Sequence, residues 1–230
     1  MQTSAPAIPR ALFVFSLLYG GLAILAGVLG TKLASLGHWP VLGDLAVESG
    51  IFAFLLLVVI ASAVAELYGR DMANRLVRYG FIPLIVSMIM LNVVIHLVPP
   101  APFWSDQEAF ARLLGQGARM QFAGLISYGT SQTLNVAVFS RMASGAEGGK
   151  LLWLRAWVAG LLSQIVDTIL FISISFYGVV DAATGAPLPI GAIMEGQIVS
   201  KLILSTIMVP PLIYLFVALG RRLDGKATPA

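Results

Sequence analysis

The chain has 230 residues, of which 58% are hydrophobic and 11% are charged, whereas ordinary soluble domains are about 45–50% apolar and about 25% charged. This composition excludes an ordinary soluble domain. The mean hydropathy of +0.91 arises from apolar stretches that recur from end to end, so we expect one integral membrane domain over residues 1–230. The absence of cysteine excludes disulfides and thiolate sites, and two histidines leave little for a zinc or haem centre. We therefore expect no cofactor.

Six apolar stretches are long enough to cross a bilayer as helices, because about 20 residues span a hydrocarbon core of about 30 Å. An open sheet is excluded there, since lipid cannot satisfy the hydrogen bonds of its edges. The predicted spans are residues 11–30, 50–67, 79–98, 119–140, 151–180 and 190–219. The sequence thus predicts an all-α membrane protein, a bundle of six transmembrane helices, with residues 31–49 and 99–118 as loops on one face.

The basic residues predict the orientation of this bundle. Loops between six spans alternate sides, and one side holds ten of the fourteen Lys and Arg residues: Arg10, Arg70, Arg75, Arg78, Arg141, Lys150, Arg155, Arg221, Arg222 and Lys226. The positive-inside rule places this side, and both termini with it, in the cytoplasm. The net charge of +3 then reflects membrane topology, and binding to nucleic acid is unsupported.

Two ionisable residues are expected near the middle of the membrane, Asp167 in the fifth span and Lys201 in the sixth. A charge at this depth costs on the order of 2.5–3.5 kcal/mol on insertion scales, so it faces the bundle interior and needs a partner. One interpretation is a structural ion pair that neutralises both side chains. The other is that one or both of them contact a transported solute.

Other hydrogen-bonding residues accompany these two charges. Gln164, Asp167, Thr168 and Phe171 fall at i, i+3, i+4 and i+7, which places them on one helix face. Two further polar stripes are formed by Ser131, Gln132 and Asn135 in the fourth span and by Gln197 and Lys201 in the sixth. Hydrogen bonds between helices explain any single stripe, but three of them with charges favour a polar cavity.

Such a cavity suits a small planar heterocycle. A carboxylate accepts two parallel N–H bonds, side-chain amides pair with donors and acceptors, and an aromatic ring stacks on a flat face. These residues alone do not distinguish between nucleobases, pterins and other vitamins as the bound heterocycle.

Two further residues each have two interpretations, and one stripe of small residues is interpreted as a packing surface. Glu66, at the inner end of the second span, is either an interfacial anchor or part of an inner gate. Arg119, at the outer end of the fourth span, either caps and snorkels or contacts substrate. A stripe of small residues in the first span allows close packing of helices; it comprises Gly20, Ala23, Gly27 and Gly30.

Several short motifs resemble the queuosine-precursor transporter family, also called the vitamin uptake transporter family. They are Glu66-Leu67-Tyr68-Gly69, Gln132, Leu154-Arg155, and Ser163-Gln164-Ile165-Val166-Asp167-Thr168 with Phe171. The similarity runs from about residue 50 to Lys201. The resemblance points to Glu66, Arg119, Gln132, Arg155, Gln164, Asp167 and Lys201 as site residues.

This resemblance implies import of 7-deazaguanines, such as the 7-cyano and 7-aminomethyl compounds, for salvage into the modified tRNA base queuosine. The chain departs from the family pattern at Ser62 and Asn135, where family members commonly carry acidic residues. A missing charge at Asn135 weakens the case for a cationic substrate or for proton coupling on that helix. It affects a neutral base less.

The function predicted from these observations is secondary transport across the inner (plasma) membrane, because no phosphate-binding GxxxxGK[ST] motif occurs in the chain. The expected partners are the lipid bilayer and a planar heterocycle, while the sequence leaves open whether copies form a homo-oligomer. The alternative is the substrate-binding subunit of an energy-coupling-factor (ECF) vitamin importer, whose first helix docks through small residues. An intramembrane enzyme is not expected, since the chain offers no convincing nucleophile with a base.

Overall fold

The computed structural model describes residues 8–143, 152–181 and 183–225, which are mostly helical. In chain order the elements are α1 (Arg10–Leu29), β1 (Leu33–Trp39), β2 (Gly43–Glu48), α2 (Ile51–Tyr68), α3 (Arg70–Leu97), α4 (Gln107–Ala143), α5 (Leu152–Phe176) and α6 (Ile190–Leu223). Each of the six apolar stretches predicted from the sequence overlaps one of these helices. Helix position is therefore set by the hydrophobic pattern, as expected for chains that fold in lipid.

Four of the helices in the described ranges are long and apolar enough to cross a membrane. These segments are Arg10–Leu29, Ile51–Tyr68, Asp71–Leu97 and Ile190–Val209. Helix α5 contributes a shorter apolar segment, Gln164–Phe176, and α4 carries several polar residues along its length. The chain is thus a mainly α-helical, multi-pass membrane protein in which α4 and α5 are the more polar helices.

Two helices extend well beyond their apolar stretches. Helix α3 begins at Arg70, directly after Gly69, and α4 begins at Gln107, so part of the predicted 99–118 loop is helical. The added segments contain good helix formers such as Ala, Leu, Arg and Gln, which continue a helix in water as readily as in lipid. Hydropathy marks where a helix lies in the membrane and not where its hydrogen bonding ends.

The expected loop over residues 31–49 instead forms an antiparallel hairpin of β1 and β2. Leu33 pairs with Glu48 at its open end. Near the turn, Gly43 has a φ of 75°, which a residue with a side chain adopts only under strain. Strand β2 lies against α6 so closely that a Cβ at Gly196 would collide with the backbone of Ala46. The hairpin is therefore packed into the bundle.

Two apolar clusters lie near opposite ends of the helices. One joins the start of α1, the end of α2, the start of α3 and the end of α6, and its largest members are Phe15, Ile60, Val64, Leu76 and Val217. The other joins α4, α5 and α6 and comprises Met120, Ile172, Phe176 and Ile193. Side chains in both clusters are buried. They hold the helix ends together and leave room for a cavity between them.

The small residues of α1 are used for packing within the chain. A Cβ at Gly20 would contact the ring of Pro83 in α3, and one at Gly27 would collide with the side chain of Gln121 in α4. Gly30 lies similarly close to Met120. Helix α1 therefore approaches α3 and α4 through this stripe, as small residues allow in membrane helices.

Asp224 joins three helix ends, and its loss is expected to destabilise the protein. Its carboxylate accepts a hydrogen bond from the Ala11 backbone N–H at 2.9 Å and from the Tyr68 hydroxyl at 2.5 Å. At about 1 kcal/mol for each bond, we expect Asp224→Ala to lower the free energy of unfolding by about 2 kcal/mol, measured as a lower Tm in detergent. Asp44→Ala is the control, because the Asp44 side chain is 91% exposed. Equal shifts in the two variants would contradict this role.

Candidate substrate cavity

A cavity of about 380 Å³ lies between the helices and is lined by residues of all six. This volume is in the range of small-molecule sites, which are mostly apolar with a few polar groups. Among the residues predicted from the sequence to be polar or stacking, it brings together Ser131, Gln164, Asp167, Phe171, Gln197 and Lys201. Residues from α4, α5 and α6 thus face one cavity. Because these polar side chains of α4 and α5 lie in the cavity wall, the two helices need not expose them to lipid.

Asp167 and Lys201 form an ion pair in the wall of this cavity. Lys201 Nζ lies 2.9 Å from Asp167 Oδ2, and the two side chains are only 13–15% exposed. Lys201 Nζ also donates to Thr168 Oγ1 at 3.2 Å and lies 5.3 Å from the centroid of the Phe54 ring. The second carboxylate oxygen, Asp167 Oδ1, accepts a long hydrogen bond of 3.5 Å from Ser131. The pair is desolvated, yet one carboxylate oxygen is only weakly engaged.

The polar face of α5 divides into a lining part and a supporting part. Gln164, Asp167 and Phe171 line the cavity. Thr168 is 1% exposed and donates to the Gln164 carbonyl oxygen at 2.9 Å while it accepts from Lys201. Thr168 therefore helps to position the ammonium group of Lys201 without itself lining the cavity. The helical spacing seen in the sequence is what places these groups on one side of α5.

The other predicted site residues lie elsewhere. Glu66 is exposed near the end of α2 and is not part of the cavity wall. Arg119 donates to the carbonyl oxygens of Ile174 and Tyr177, each at 2.6 Å, so it satisfies backbone acceptors that the end of α5 leaves without partners. The side chains of three more candidates lie outside the described residues: Gln132, Asn135 and Arg155.

Glu48 is a cavity residue, although its position between the first two apolar stretches predicts a loop. It is 4% exposed and lines the cavity. Its Oε2 accepts from the Gly50 N–H at 2.7 Å, and its Oε1 accepts from Gln197 Nε2 at 3.0 Å. Burial raises the pKa of Glu48 to about 7, against the opposing effects of both hydrogen bonds and of Lys201. The alternation of apolar Leu45 and Val47 just before it is typical of a half-buried strand, but it places Glu48 on the opposite face and so does not predict that this carboxylate is buried.

Gln121 is a second residue that the sequence analysis did not single out. It is 3% exposed, and its side chain connects three helices beside the cavity. Ser87 donates to Gln121 Oε1 at 3.0 Å, and Gln121 Nε2 donates to the Ile24 carbonyl oxygen at 3.4 Å. An amide within an otherwise apolar part of α4 was the available signal. Its position in the wall fixes α1 and α3 against α4.

This wall can bind a small, flat and polar solute. Carboxylate and amide groups are available for hydrogen bonds at its edge, and the aromatic rings of Phe54, Phe171 and Tyr128 are available for contact with its face. Within the described ranges no group of three His, Asp or Glu side chains is arranged to hold a metal ion. Hydrogen bonds, charge and stacking are the interactions that the described side chains of the wall offer.

Comparison with known proteins places the chain in a transporter family. Residues 48–216 match the family described as "Putative vitamin uptake transporter". The "Probable queuosine precursor transporter" of Bacillus subtilis (strain 168) is 32% identical over 117 residues, 51% of each chain. The "Queuosine precursor transporter" of Escherichia coli (strain K12) is 23% identical over 133 residues, 58% of this chain and 57% of that protein.

The chain thus spans about half the length of the curated relatives it matches. No solved structure matches it. The matched region includes α2 to α5, most of α6 and Glu48, and so covers most of the cavity wall. The similarity to the queuosine-precursor family inferred from short motifs is confirmed, and the chain belongs to the vitamin uptake transporter family.

Proposed function

We propose that the chain is a secondary transporter that imports 7-deazaguanine precursors of queuosine across the inner membrane. The observation that carries this proposal is the Asp167–Lys201 pair, which lies in the wall of a cavity of ligand size. Two relatives named as queuosine precursor transporters support the substrate class. The transport mode and the choice between the 7-cyano and 7-aminomethyl compounds belong to the proposal.

In the proposed complex, α5 binds the heterocycle by one edge and one face. Asp167 accepts hydrogen bonds from the ring N–H and the exocyclic amine, since a carboxylate can accept two parallel bonds. Gln164, assisted by Gln132, pairs with the carbonyl edge. Phe171 stacks on the ring, a contact worth about 0.5–1.5 kcal/mol beyond the area buried.

Substrate binding competes with the ion pair, which couples occupancy to movement of the helices. When the heterocycle donates to Asp167, the attraction between Asp167 and Lys201 weakens, because the carboxylate oxygens are shared. Helices α5 and α6, which the pair joins, then move relative to one another. A substrate can shift an equilibrium between two states only by the difference in its affinity for them. The state with a broken ion pair binds the substrate more tightly, because its Asp167 carboxylate is available to accept hydrogen bonds from the substrate.

The proposed topology has six membrane passes with both termini in the cytoplasm. Four helices satisfy length and hydropathy on their own. Helices α4 and α5 become compatible with lipid because polar residues of each, such as Ser131 and Asp167, point into the cavity. The alternative role as an ECF subunit is not favoured, since the small residues of α1 already pack against α3 and α4.

The proposal predicts that this gene restores queuosine to tRNA in a bacterial strain that can neither make nor import the precursor. The strain is supplied with 7-cyano-7-deazaguanine, and tRNA queuosine is measured by mass spectrometry with and without the gene. A variant with Asp44→Asn, on the exposed part of the hairpin, controls for expression and should restore modification fully. Absence of queuosine despite normal protein levels in the membrane, with the 7-aminomethyl compound as well as with the 7-cyano compound, would refute the proposed substrate class.

A further inference from the structure

We propose that Glu48 and Gln197 form a subsite for an ammonium group, and that this subsite favours 7-deazaguanines with a primary amine over those with a nitrile. The inference rests on the proposed function, because it concerns the substituent of the same substrate class. It concerns the part of the cavity next to the hairpin and involves neither Asp167 nor the stacking ring.

The first support is burial of polar atoms that face the cavity. Glu48 is 4% exposed and Gln197 is 2% exposed, and both line the cavity. The two hydrogen bonds that Glu48 accepts come from neutral donors, Gln197 and the Gly50 backbone. Among the described side chains no Lys or Arg forms an ion pair with Glu48, although Lys201 is near enough to lower the pKa of Glu48. A buried carboxylate without a cation partner is costly.

The second support is an acceptor without a donor. Gln197 Oε1 is buried and has no hydrogen-bond partner among the described residues, although most buried polar atoms have one. Turning the amide over would not remove the deficit, since it would place Oε1 against the Glu48 carboxylate and leave Nε2 without an acceptor. The site therefore lacks one donor for the amide oxygen, and a donor with positive charge would at the same time balance the Glu48 carboxylate.

The third support is the balance of charge around the cavity. Among the residues that the structure describes, its wall contains two carboxylates, Glu48 and Asp167, and one ammonium group, Lys201, which is paired with Asp167. Gly30 and Gly50, the two glycines next to Glu48 Oε2, carry no charge. A substrate ammonium group would balance Glu48. A nitrile carries no charge and can only accept hydrogen bonds. It would lie against two other acceptors, the Glu48 carboxylate and Gln197 Oε1, and would form no hydrogen bond with either.

The position of the subsite fits a substituent on the five-membered ring. Gln197 precedes Lys201 by four residues on α6, about 6 Å along the helix axis, so it lies on the hairpin side of the ion pair. When Asp167 binds the ring N–H and exocyclic amine of the six-membered ring, the 7-substituent is directed away from that edge. An aminomethyl group can then extend toward Glu48.

The test compares binding of the 7-aminomethyl and 7-cyano compounds to the purified, full-length protein. We expect Glu48→Gln to raise Kd for the amine at least tenfold more than Kd for the nitrile, because charge-assisted hydrogen bonds are the stronger ones. Gln197→Met, which keeps the volume and removes the amide, should shift the same ratio in the same direction. Asp44→Asn is the matched control and should change neither Kd. Each variant is first shown to have a cooperative thermal transition.

The same experiment has a pH readout that a structural role would not produce. An alkylammonium group titrates at about pH 10, so the amine stays charged, while burial gives Glu48 a pKa of about 7. Below pH 7 the ammonium must displace a proton from Glu48, so its Kd should rise as pH falls from 8 to 5. The nitrile should show a flatter profile, and in Glu48→Gln the difference between the two ligands should disappear.

Two outcomes overturn the inference. Equal weakening of both ligands by Glu48→Gln, with one common pH profile, would make Glu48 a proton-binding or structural group. Unchanged binding of both ligands in Glu48→Gln and Gln197→Met would remove the subsite altogether. In either case wild-type binding of a 7-deazaguanine leaves the proposed function intact. Failure of the folded wild-type protein to bind both compounds would refute the proposed function and this inference together.

Discussion

Exchanging the two charges of the ion pair, Asp167→Lys with Lys201→Asp, should abolish uptake and largely preserve the fold. Each single change places two like charges side by side and is expected to lower Tm strongly, since an uncompensated buried charge costs about 3–5 kcal/mol. The double variant restores the attraction across the 2.9 Å contact. It also removes the carboxylate from α5, so uptake of the 7-cyano compound should fall about a hundredfold, consistent with about 1.5–3 kcal/mol for bonds to a charged group.

The measurement combines Tm in detergent with uptake at matched membrane levels. A purely structural pair predicts a different result, namely that the double variant recovers both stability and transport. Recovery of full uptake would therefore rule out direct binding by Asp167. A Tm of the double variant no higher than that of either single variant would show that the two charges do not act as a pair.

Gly196→Ala should destabilise the protein more than any other conservative change on α6. The added Cβ would overlap the backbone of Ala46 in β2, and neither a helix nor a paired strand can move aside without loss of contacts. We expect a loss of about 2–3 kcal/mol, or about 5–10 °C in Tm. Because β2 ends at Glu48, displacement of the hairpin should also weaken substrate binding.

Gly191→Ala is the matched control on the same helix. A Cβ at Gly191 meets nothing within 4 Å, and Gly191 lies in the first turn of α6, so this substitution should leave binding unchanged and change Tm little. Equal Tm values for the two variants would show that the hairpin does not depend on the close contact between β2 and α6.

The sequence was informative wherever the bilayer imposes a pattern. Six apolar stretches located six helices, because lipid allows few alternatives to a helix. A polar face at helical spacing predicted that Gln164, Asp167 and Phe171 lie together, and the cost of buried charge predicted a partner for Asp167. The predicted convergence of polar residues from α4, α5 and α6 corresponds to one cavity wall in the structure.

The hairpin and its cavity residue could not be predicted in the same way. Residues 31–49 lie between spans, where the hydrophobic pattern of the bilayer no longer applies. The two positions that anchor the hairpin, Gly196 and Glu48, are far apart in the sequence, and their contacts with Ala46 and Gln197 depend on tertiary packing. An acidic residue in a loop is exposed by default, and only the fold shows that Glu48 is buried.

The most direct test of the central claim is uptake of labelled 7-cyano-7-deazaguanine by liposomes that contain only this purified protein. The account predicts time-dependent accumulation without ATP or a second subunit, saturable by unlabelled 7-deazaguanine and absent from liposomes with the Asp167/Lys201 exchange variant. No accumulation of this label or of labelled 7-aminomethyl-7-deazaguanine by folded wild-type protein, with neither label able to bind it, would contradict the claim that this cavity carries a queuosine precursor.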